Sequence, residues 1–356
     1  MKTFISLVCG LILSSLAWGQ ATIDANTVLN IGESAPVKLG LNFWNPGPAG
    51  ANQSWDFSAV DHNQDWDWRF YDPAETVFAD SFPSANMAFA LPVANSPESW
   101  SYYRFANDSL QYLGSASILS PTDSTGFYQI FEQNPDLELI FPFTFGTAVS
   151  DQAHGIQWVN VGGMTFAQTR DKTTTRTVDA YGDITTPYGT FNNVLRVRTT
   201  ESIADTLRTL FPVASSQEIV RYTWYSADER YVLMQMDSIA TMSFGQPVDI
   251  NHAHMFRSGE IMTSLEQDRL ATKLDLQAFP NPTRARLSIR FQLEQAEKVS
   301  LRLSNIIGQD LIREELTYPF IGERQHELDV SMLGAGYYLL SVETEQGVAS
   351  LKIQIL

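Results

Sequence analysis

The sequence almost lacks cysteine. Its single cysteine, Cys9, lies in an apolar N-terminal stretch, which predicts a cleaved leader and hence a mature chain with no cysteine at all. This excludes disulfides, thiol catalysis and cysteine-ligated metals. An exported protein without disulfides must be stabilised by a large buried core, and a chain of 356 residues with 44% apolar residues can form one.

Long apolar runs are also missing after the first twenty residues. Residues 1–19 have the three parts of a secretory signal peptide: Lys2, an apolar stretch at 4–16, and the small-x-small tripeptide at 17–19. We expect cleavage before Gln20. The alternative, an N-terminal membrane helix, is disfavoured because the apolar run is short for a span.

Basic residues are scarce, with 23 Lys and Arg against 40 Asp and Glu and a net charge of −17. No nucleic-acid partner is expected, because binding phosphates requires a basic face. Gly-x-Ser-x-Gly, His-Glu-x-x-His and phosphate-binding glycine loops are absent from the sequence. We therefore predict no cofactor and favour a non-enzymatic protein. A carboxylate-type hydrolase stays open, since paired acids can come from any two strands.

What the sequence does contain is a strand pattern. Aromatic residues make up 12% of the chain and are interspersed with Thr, Ser, Gly and Asn, which favours strands and turns over helices. Residues 20–245 predict an antiparallel, all-β domain, either a sandwich or a half-open barrel. Residues 246–278 lose this regularity and predict a linker. Residues 279–356 form a second all-β domain.

The second domain shows the clearest alternation of apolar and polar residues. Leu287, Ile289, Phe291 and Leu293 fall on one face of a strand, with polar side chains between them. Six or seven such short strands fit into fewer than eighty residues. This predicts a small Ig-like β-sandwich.

Short motifs follow one another in this domain: the turn Pro280-Asn281-Pro282, the pair Asn305 and Gly308, the stretch with Gly334, Gly336, Tyr337 and Tyr338, and a last strand bearing Lys352. Together they resemble the type A C-terminal sorting domain of the type IX secretion system of Bacteroidota. Phe279, where a tyrosine is more usual, is a small departure from that pattern.

The resemblance implies a route and a set of partners. The chain would cross the periplasm and then the outer membrane through the type IX machinery. A sortase-like protease would remove the sorting domain, and the cargo, residues 20–245, would be released or joined to surface lipopolysaccharide. The expected location is secreted or on the outer cell surface. The cargo itself resembles an uncharacterised family of secreted Bacteroidota proteins, which implies no chemistry.

Seven tryptophans in the cargo suggest a binding role. Aromatic faces stack on sugars, so a surface platform for polysaccharide is one hypothesis, against core packing or a purely structural module. The turn at residues 186–191 and the Trp-Tyr-Ser at 224–226, each beside a predicted strand, weakly resemble half-barrel carriers of lipidic ligands, which implies a carrier of an apolar ligand. The candidate ligand-binding residues are Trp66, Trp68, Trp100 and Tyr102.

One acidic stretch has the spacing of a calcium loop. Asp61, Asn63, Asp65 and Asp67 place oxygen ligands at alternate positions. However, Trp66 stands where the sharp turn of such a loop requires glycine. We therefore favour a strand with Trp66 and Trp68 on one face, and we predict no metal site.

Overall fold

The computed structural model describes residues 21–90, 98–120, 125–131, 134–161, 163–208, 213–243, 246–263, 274–293, 295–305, 310–344 and 347–356. The predicted signal peptide lies outside these ranges. Short 3-10 helices occur at Ala25–Thr27, Pro73–Glu75 and Ala79–Ser81. Within the described ranges, no helix is long and apolar enough to cross a membrane.

The first sixteen strands are β1 Thr22–Ile23, β2 Glu33–Gly40, β3 Gly50–Asp56, β4 Gln64–Tyr71, β5 Met87–Ala90, β6 Glu98–Ala106, β7 Ser109–Ser120, β8 Thr125–Ile130, β9 Asp136–Ile140, β10 Phe143–Thr144, β11 Ala148–Val161, β12 Met164–Thr185, β13 Thr190–Leu207, β14 Val213–Ser226, β15 Val232–Ser243 and β16 Gln246–Arg257. The remaining strands are β17 Met262–Thr263, β18 Gln277–Phe279, β19 Arg286–Leu293, β20 Glu297–Asn305, β21 Asp310–Tyr318, β22 Gly322–Asp329, β23 Gly336–Thr344 and β24 Gly347–Ile355. The all-β prediction is confirmed.

Twelve strands form a closed, barrel-like sheet in the order β11-β8-β7-β6-β5-β4-β2-β16-β15-β14-β13-β12, and β12 pairs back to β11. We call this the closed sheet. Every pairing around it is antiparallel. Strand β3 lies parallel to β12 at residues 180–185, beyond the part of β12 that pairs with β11. The sheet is closed, and not half-open as considered from the sequence, because β11 pairs with both β8 and β12.

Alternation along the strands sends one set of side chains inward. The inner apolar cluster includes Trp66, Phe70 and Phe89 from one side of the closed sheet and Val197 and Tyr225 from the other. The small sheet of β1 and β10 packs its Ile23 and Phe143 into the same cluster. Since a period of two places every second residue on the same face, the strand interpretation of residues 64–71 is confirmed.

Two segments cover the outer face of the closed sheet. Trp55 and Phe57 pack edge-on against Trp224, with ring centroids 5.9 and 5.3 Å apart. On another part of the sheet Phe82 stacks on Tyr102, with centroids 4.1 Å apart. The closed sheet is therefore buried on both faces in these regions.

Residues 246–257 fall in the segment predicted to be a linker, but they form β16, which pairs with β15 and β2. Its N-terminal half is exposed, with Val248 64% and Ile250 54% accessible. Apolar side chains on a solvent face obscure the usual alternation, which explains why the sequence pattern looked irregular here. Residues 264–273 of the remaining predicted linker lie outside the described ranges, so the domain boundaries stay a prediction.

The terminal domain contains two facing sheets, β18-β19-β22 and β21-β20-β23-β24. Leu287, Ile289 and Phe291 from the first sheet and Leu301 and Val342 from the second are buried in one cluster. The predicted small sandwich is confirmed in its strands and in the face they bury.

Candidate functional site inside the closed sheet

The closed sheet encloses a cavity of about 510 Å³. This volume lies in the range of roughly 300–1,000 Å³ that is typical of small-molecule sites. One part of the lining is aromatic and aliphatic, and includes Trp68, Phe89 and Leu110. Another part is strongly charged. The cavity is therefore amphipathic.

The charged part of the lining comes from neighbouring strands whose inward residues face one another. The charged belt is defined as these lining residues, Glu138, Arg170, Lys172, Arg176, Glu201 and Arg221, together with the three carboxylates that pair with them, Asp136, Asp205 and Asp237. Cross-strand register joins two of its pairs directly, Arg170 with Asp205 and Arg221 with Asp237. Directly opposed residues have Cβ atoms roughly 5 Å apart, so opposite charges there meet without distortion.

Lys172 is the centre of the charged belt. Its Nζ lies 2.5 Å from Asp136 Oδ2 and 2.9 Å from Glu201 Oε2. Asp136 is inaccessible and Glu201 is only 3% accessible. Burial opposes the charge of Lys172, but Glu201, Glu138 and Asp136 together raise its pKa. The lysine is therefore fully charged at neutral pH.

Arg176 contacts two carboxylates, those of Glu138 and Asp136. Its Nη2 lies 3.1 Å from Glu138 Oε2 and 3.6 Å from Asp136 Oδ1. Burial, followed by the nearby Glu138, raises the pKa of Asp136. Burial also acts against ionisation of Glu138, yet Arg176, Lys172 and Arg221 lower its pKa. Glu138 is thus the carboxylate of this pair that ionises first.

The two remaining guanidinium groups differ in how many partners they have. Arg170 donates to both oxygens of Asp205 at 2.7 and 2.6 Å, and to Gln129 Oε1 at 2.9 Å. Arg221 donates through Nε to Asp237 Oδ1 at 2.6 Å, and its Nη1 lies 3.8 Å from Glu201, too far for a hydrogen bond. Arg221 therefore has donors left for another molecule.

The accessible surface of Arg221 faces the cavity. Its side chain is 28% accessible although it lies on the inward face of β14 and lines the cavity. Asp237, against the effect of burial, raises the pKa of Arg221 and keeps the guanidinium charged. A charged donor with open nitrogens thus stands at the wall of an amphipathic cavity.

The apolar part of the lining is built from stacked rings. Trp68 lies on Phe89 with centroids 4.2 Å apart and touches Tyr231 at 5.2 Å. Among the described residues, the hydroxyl of buried Tyr231 and Nη1 of Arg176 make no hydrogen bond. Buried polar atoms are normally satisfied, so both are consistent with a bound molecule or water in the cavity.

The four aromatic residues that were predicted to bind a ligand lie in different environments. Trp66 is 3% and Tyr102 is 0% accessible, so these two cannot form an exposed stacking platform. The Tyr102 hydroxyl lies 2.6 Å from Thr76 Oγ1, and burial raises the pKa of Tyr102 to about 12. Trp100 is half-buried and donates to Glu98 at 2.6 Å. Trp68 alone lines the cavity.

The four predicted metal-ligand candidates do not converge. Asp61 accepts from Asn42 at 2.6 Å, and Asp65 pairs with Lys38 at 3.1 Å. Asn63 bonds through its backbone to Leu39. Asp65 and Asp67 lie on β4, where the intervening Trp66 points inward. In the described ranges, no group of three or more acidic, histidine or cysteine side chains could hold a metal ion.

The sorting-motif residues cluster around the last strand. Pro280 and Pro282 both follow cis peptide bonds. Between them, the Asn281 side chain donates to the Lys352 carbonyl at 2.8 Å and accepts from the Gln354 amide at 2.9 Å. This turn is thereby fastened to β24.

The other motif residues support the same strand pair. Lys352 Nζ lies 4.0 Å above the ring of Tyr337, and the Tyr338 hydroxyl donates to the Gly334 carbonyl at 2.7 Å. Gly336 begins β23, and Asn305 pairs with Tyr338 across β20 and β23. Gly308 lies outside the described residues.

The charged belt was not predicted from the sequence. Its signal was present in β12, where Arg170, Lys172 and Arg176 fall on one face of a strand. The Thr-rich composition of that strand is typical of an edge or half-exposed strand. Only the closure of the sheet places those residues inside.

These features define an all-β protein with a closed sheet around an amphipathic cavity and a small sandwich after it. Residues 277–356 match the family described as a secretion system C-terminal sorting domain. The chain therefore ends in a sorting domain of the type IX secretion system and is a secreted cargo exported to the cell surface or beyond.

The comparisons add little about the cargo. A search of the curated proteins found no match. One similar solved structure is PorZ, described as an essential bacterial surface component of the type-IX secretion system of Porphyromonas gingivalis, with 12% identity over 85% of this chain and 51% of PorZ. The chain thus spans about half the length of PorZ, and the TM-score of 0.18 is too low to carry an argument.

Proposed function

We propose that the exported cargo is a non-enzymatic binding protein that holds a small amphipathic molecule inside the closed sheet. The observation that carries this proposal is the cavity of about 510 Å³, with stacked rings on one part of its wall and accessible charged groups on another. This combines two hypotheses raised by the sequence, a binding module and a carrier with an inward-facing cavity. The proposed site lies in the interior, where Trp68 lines the cavity, and not at surface tryptophans.

The pairing within the charged belt supports binding over carboxylate-type hydrolysis. Such a hydrolase needs one carboxyl group that stays protonated and a second that is free to act as base or nucleophile. Asp136, whose pKa is raised, is completely inaccessible. Glu138, which is accessible, is held by Arg176. Asp136 therefore cannot reach a substrate, and Arg176, against the effect of burial, lowers the pKa of Glu138 and makes it a weaker base.

Filling the cavity tests the proposal. Ser115 lines the cavity on β7, so Ser115→Trp places a large ring inside it. Ser202→Trp is the matched control, because Ser202 is exposed on β13 of the same closed sheet. Both variants add one tryptophan. The probe is N-phenylnaphthylamine, an uncharged dye that brightens in apolar surroundings.

We expect the wild-type chain and Ser202→Trp to bind the dye equally, and Ser115→Trp to lose at least about tenfold in affinity, roughly 1.4 kcal/mol. Thermal unfolding of each variant shows whether it is folded. Leu110→Trp, at another lining position, replaces Ser115→Trp if the latter does not fold. Equal dye binding by a folded, filled variant would contradict an interior site.

We further propose that a sortase-like protease removes the terminal domain after export and that the cargo is released or attached to lipopolysaccharide. All strands of the closed sheet lie between residues 33 and 257, so removing residues 277–356 takes no strand from it. Intact-mass measurement of the extracellular protein tests this. Recovery of the cargo with the terminal domain still attached would refute cleavage.

A further inference from the structure

The charged belt also restricts the chemistry of the ligand. We infer that the cavity selects an uncharged amphiphile with neighbouring hydroxyl groups at one end, such as a glycoside or a monoacylglycerol, and discriminates against fatty acids. This inference rests on the proposed function and names the ligand class of the same site.

The charge balance of the charged belt disfavours an anionic ligand. The charged belt contains five carboxylates and only four cations: Arg170, Lys172, Arg176 and Arg221. Each cation already has a carboxylate within 3.1 Å. A ligand carboxylate would be a sixth acid among four cations, and it would lose its hydration on entering. Burying a charge without a dedicated partner is strongly unfavourable.

The unused hydrogen-bonding groups of the charged belt also restrict the ligand. The terminal nitrogens of Arg221 are donors with no acceptor among the described residues. Glu138 is 23% accessible, and Arg176 occupies only its Oε2, which leaves Oε1 as an open acceptor. The cavity therefore presents both a charged donor and a charged acceptor.

A hydroxyl group matches this pair because it both donates and accepts. Two neighbouring hydroxyls can accept from Arg221 and donate to Glu138 without adding charge to the belt. Hydrogen bonds between a neutral and a charged group are stronger than those between two neutral groups. A carboxylate satisfies only Arg221, and an ammonium group satisfies only Glu138.

The apolar wall accounts for the other end of the ligand. Trp68 and Phe89 present stacked rings, and Leu110, Phe141 and Val232 continue the surface. Tyr103 and Tyr225 also line the cavity, and burial, followed by the nearby Glu138, raises the pKa of both hydroxyls. These tyrosines therefore mark the boundary where an alkyl chain would give way to a polar head group.

Three probes with the same alkyl chain test the inference on the full purified chain: octyl glucoside, octanoate and octylammonium. Each displaces N-phenylnaphthylamine in a titration kept below its micellar concentration. We expect octyl glucoside to bind at least about tenfold more tightly than either charged probe, since one charge-assisted hydrogen bond corresponds to roughly that factor. Octanoate or octylammonium binding as tightly as the glucoside would overturn the inference.

The outcomes also separate this inference from the proposed function. If the dye binds and Ser115→Trp blocks it, but no octyl probe displaces it, the interior site stands and the ligand class is wrong. If the dye does not bind either, both proposals fail.

Two variants test the roles of the charged groups. Glu138→Gln leaves four carboxylates and four cations in the belt, so octanoate affinity should rise about tenfold. Arg221→Gln removes the open donor and should weaken octyl glucoside about tenfold. Arg198→Gln is the control, because Arg198 is exposed on β13 and its loss should leave all three probes unchanged. An unchanged octanoate affinity in Glu138→Gln would refute the charge-balance argument.

Discussion

Replacing Lys172 with methionine is the most direct test of the charged belt. The substitution keeps the length of the side chain and removes its charge. Asp136 and Glu201, which are 0% and 3% accessible, lose the ammonium group that lies within 3 Å of both. Their next cations, Arg176 and Arg221, lie 3.6 and 3.8 Å away and already hold other acids. The variant therefore buries a poorly compensated pair of carboxylates.

Removing one partner of a buried ion pair costs roughly 3–5 kcal/mol, and we expect Lys172→Met to fall in that range. Denaturation with guanidinium chloride has a slope of roughly 4 kcal/mol per molar for a domain of ordinary size. The midpoint should therefore decrease by about 1 M. Tryptophan fluorescence follows the closed sheet selectively, because the sequence has no tryptophan in residues 279–356.

The pH dependence gives a second criterion. In the wild-type chain the raised pKa of Lys172 means that its contribution is complete at neutral pH and is lost only as the pH rises through that value. Burial already raises the pKa of Asp136, and the variant removes the Lys172 charge that lowers it, so Asp136 takes up a proton on folding. The stability difference from wild type should therefore shrink as the pH falls from 7 towards 5.

Arg198→Met is the matched control, since Arg198 is an exposed cation on the neighbouring strand. Its free energy of unfolding should stay within about 0.5 kcal/mol of wild type. A Lys172→Met variant as stable as this control would refute the buried belt. A loss of stability that does not change with pH would show that packing, and not charge, is responsible.

Three further predictions concern other contacts. Arg196→Lys should destabilise the closed sheet by about 2 kcal/mol in the same fluorescence assay, because lysine cannot replace the two-pronged bond of Arg196 to Asp179 at 2.9 and 3.0 Å. Asn281→Ala should lower the melting temperature of the terminal domain, at a cost of about 1–3 kcal/mol, because it removes both bonds to β24. Glu33→Gln should cost about 1 kcal/mol at pH 7 and progressively less as the pH falls below 4.5. Burial opposes its ionisation, but Arg230 lowers the pKa of Glu33 below its usual 4.5, so this contribution is lost as the pH falls through the lowered value.

Local patterns were enough to predict the strands themselves. Alternation at Leu287, Ile289 and Phe291 predicted β19 and its buried face, which the structure confirms. The same reasoning placed Trp66 and Trp68 on one face of β4. These features depend on residues two positions apart, so a single sequence contains all the information they need.

Closure of the sheet could not be predicted in this way. It depends on β11 pairing with both β8 and β12, and no local pattern specifies which strand is the neighbour of which. The charged belt was missed for the same reason. Arg170 and Lys172 alternate with polar residues in β12 as they would on a solvent-facing strand. The sequence does not distinguish a solvent-exposed outer face from a polar inner cavity.

The interior of the closed sheet lowers the free energy of unfolding below that of a fully packed core. A cavity forgoes packing contacts, and a network of buried ion pairs is commonly no more stable than apolar residues of the same volume. The mature chain has no disulfide to offset these costs if the predicted leader is removed. A protein selected only for stability outside the cell would fill this space with apolar side chains. The combination of an open cavity, a paired charged belt and the unused donors of Arg221 is instead what a specific ligand site requires.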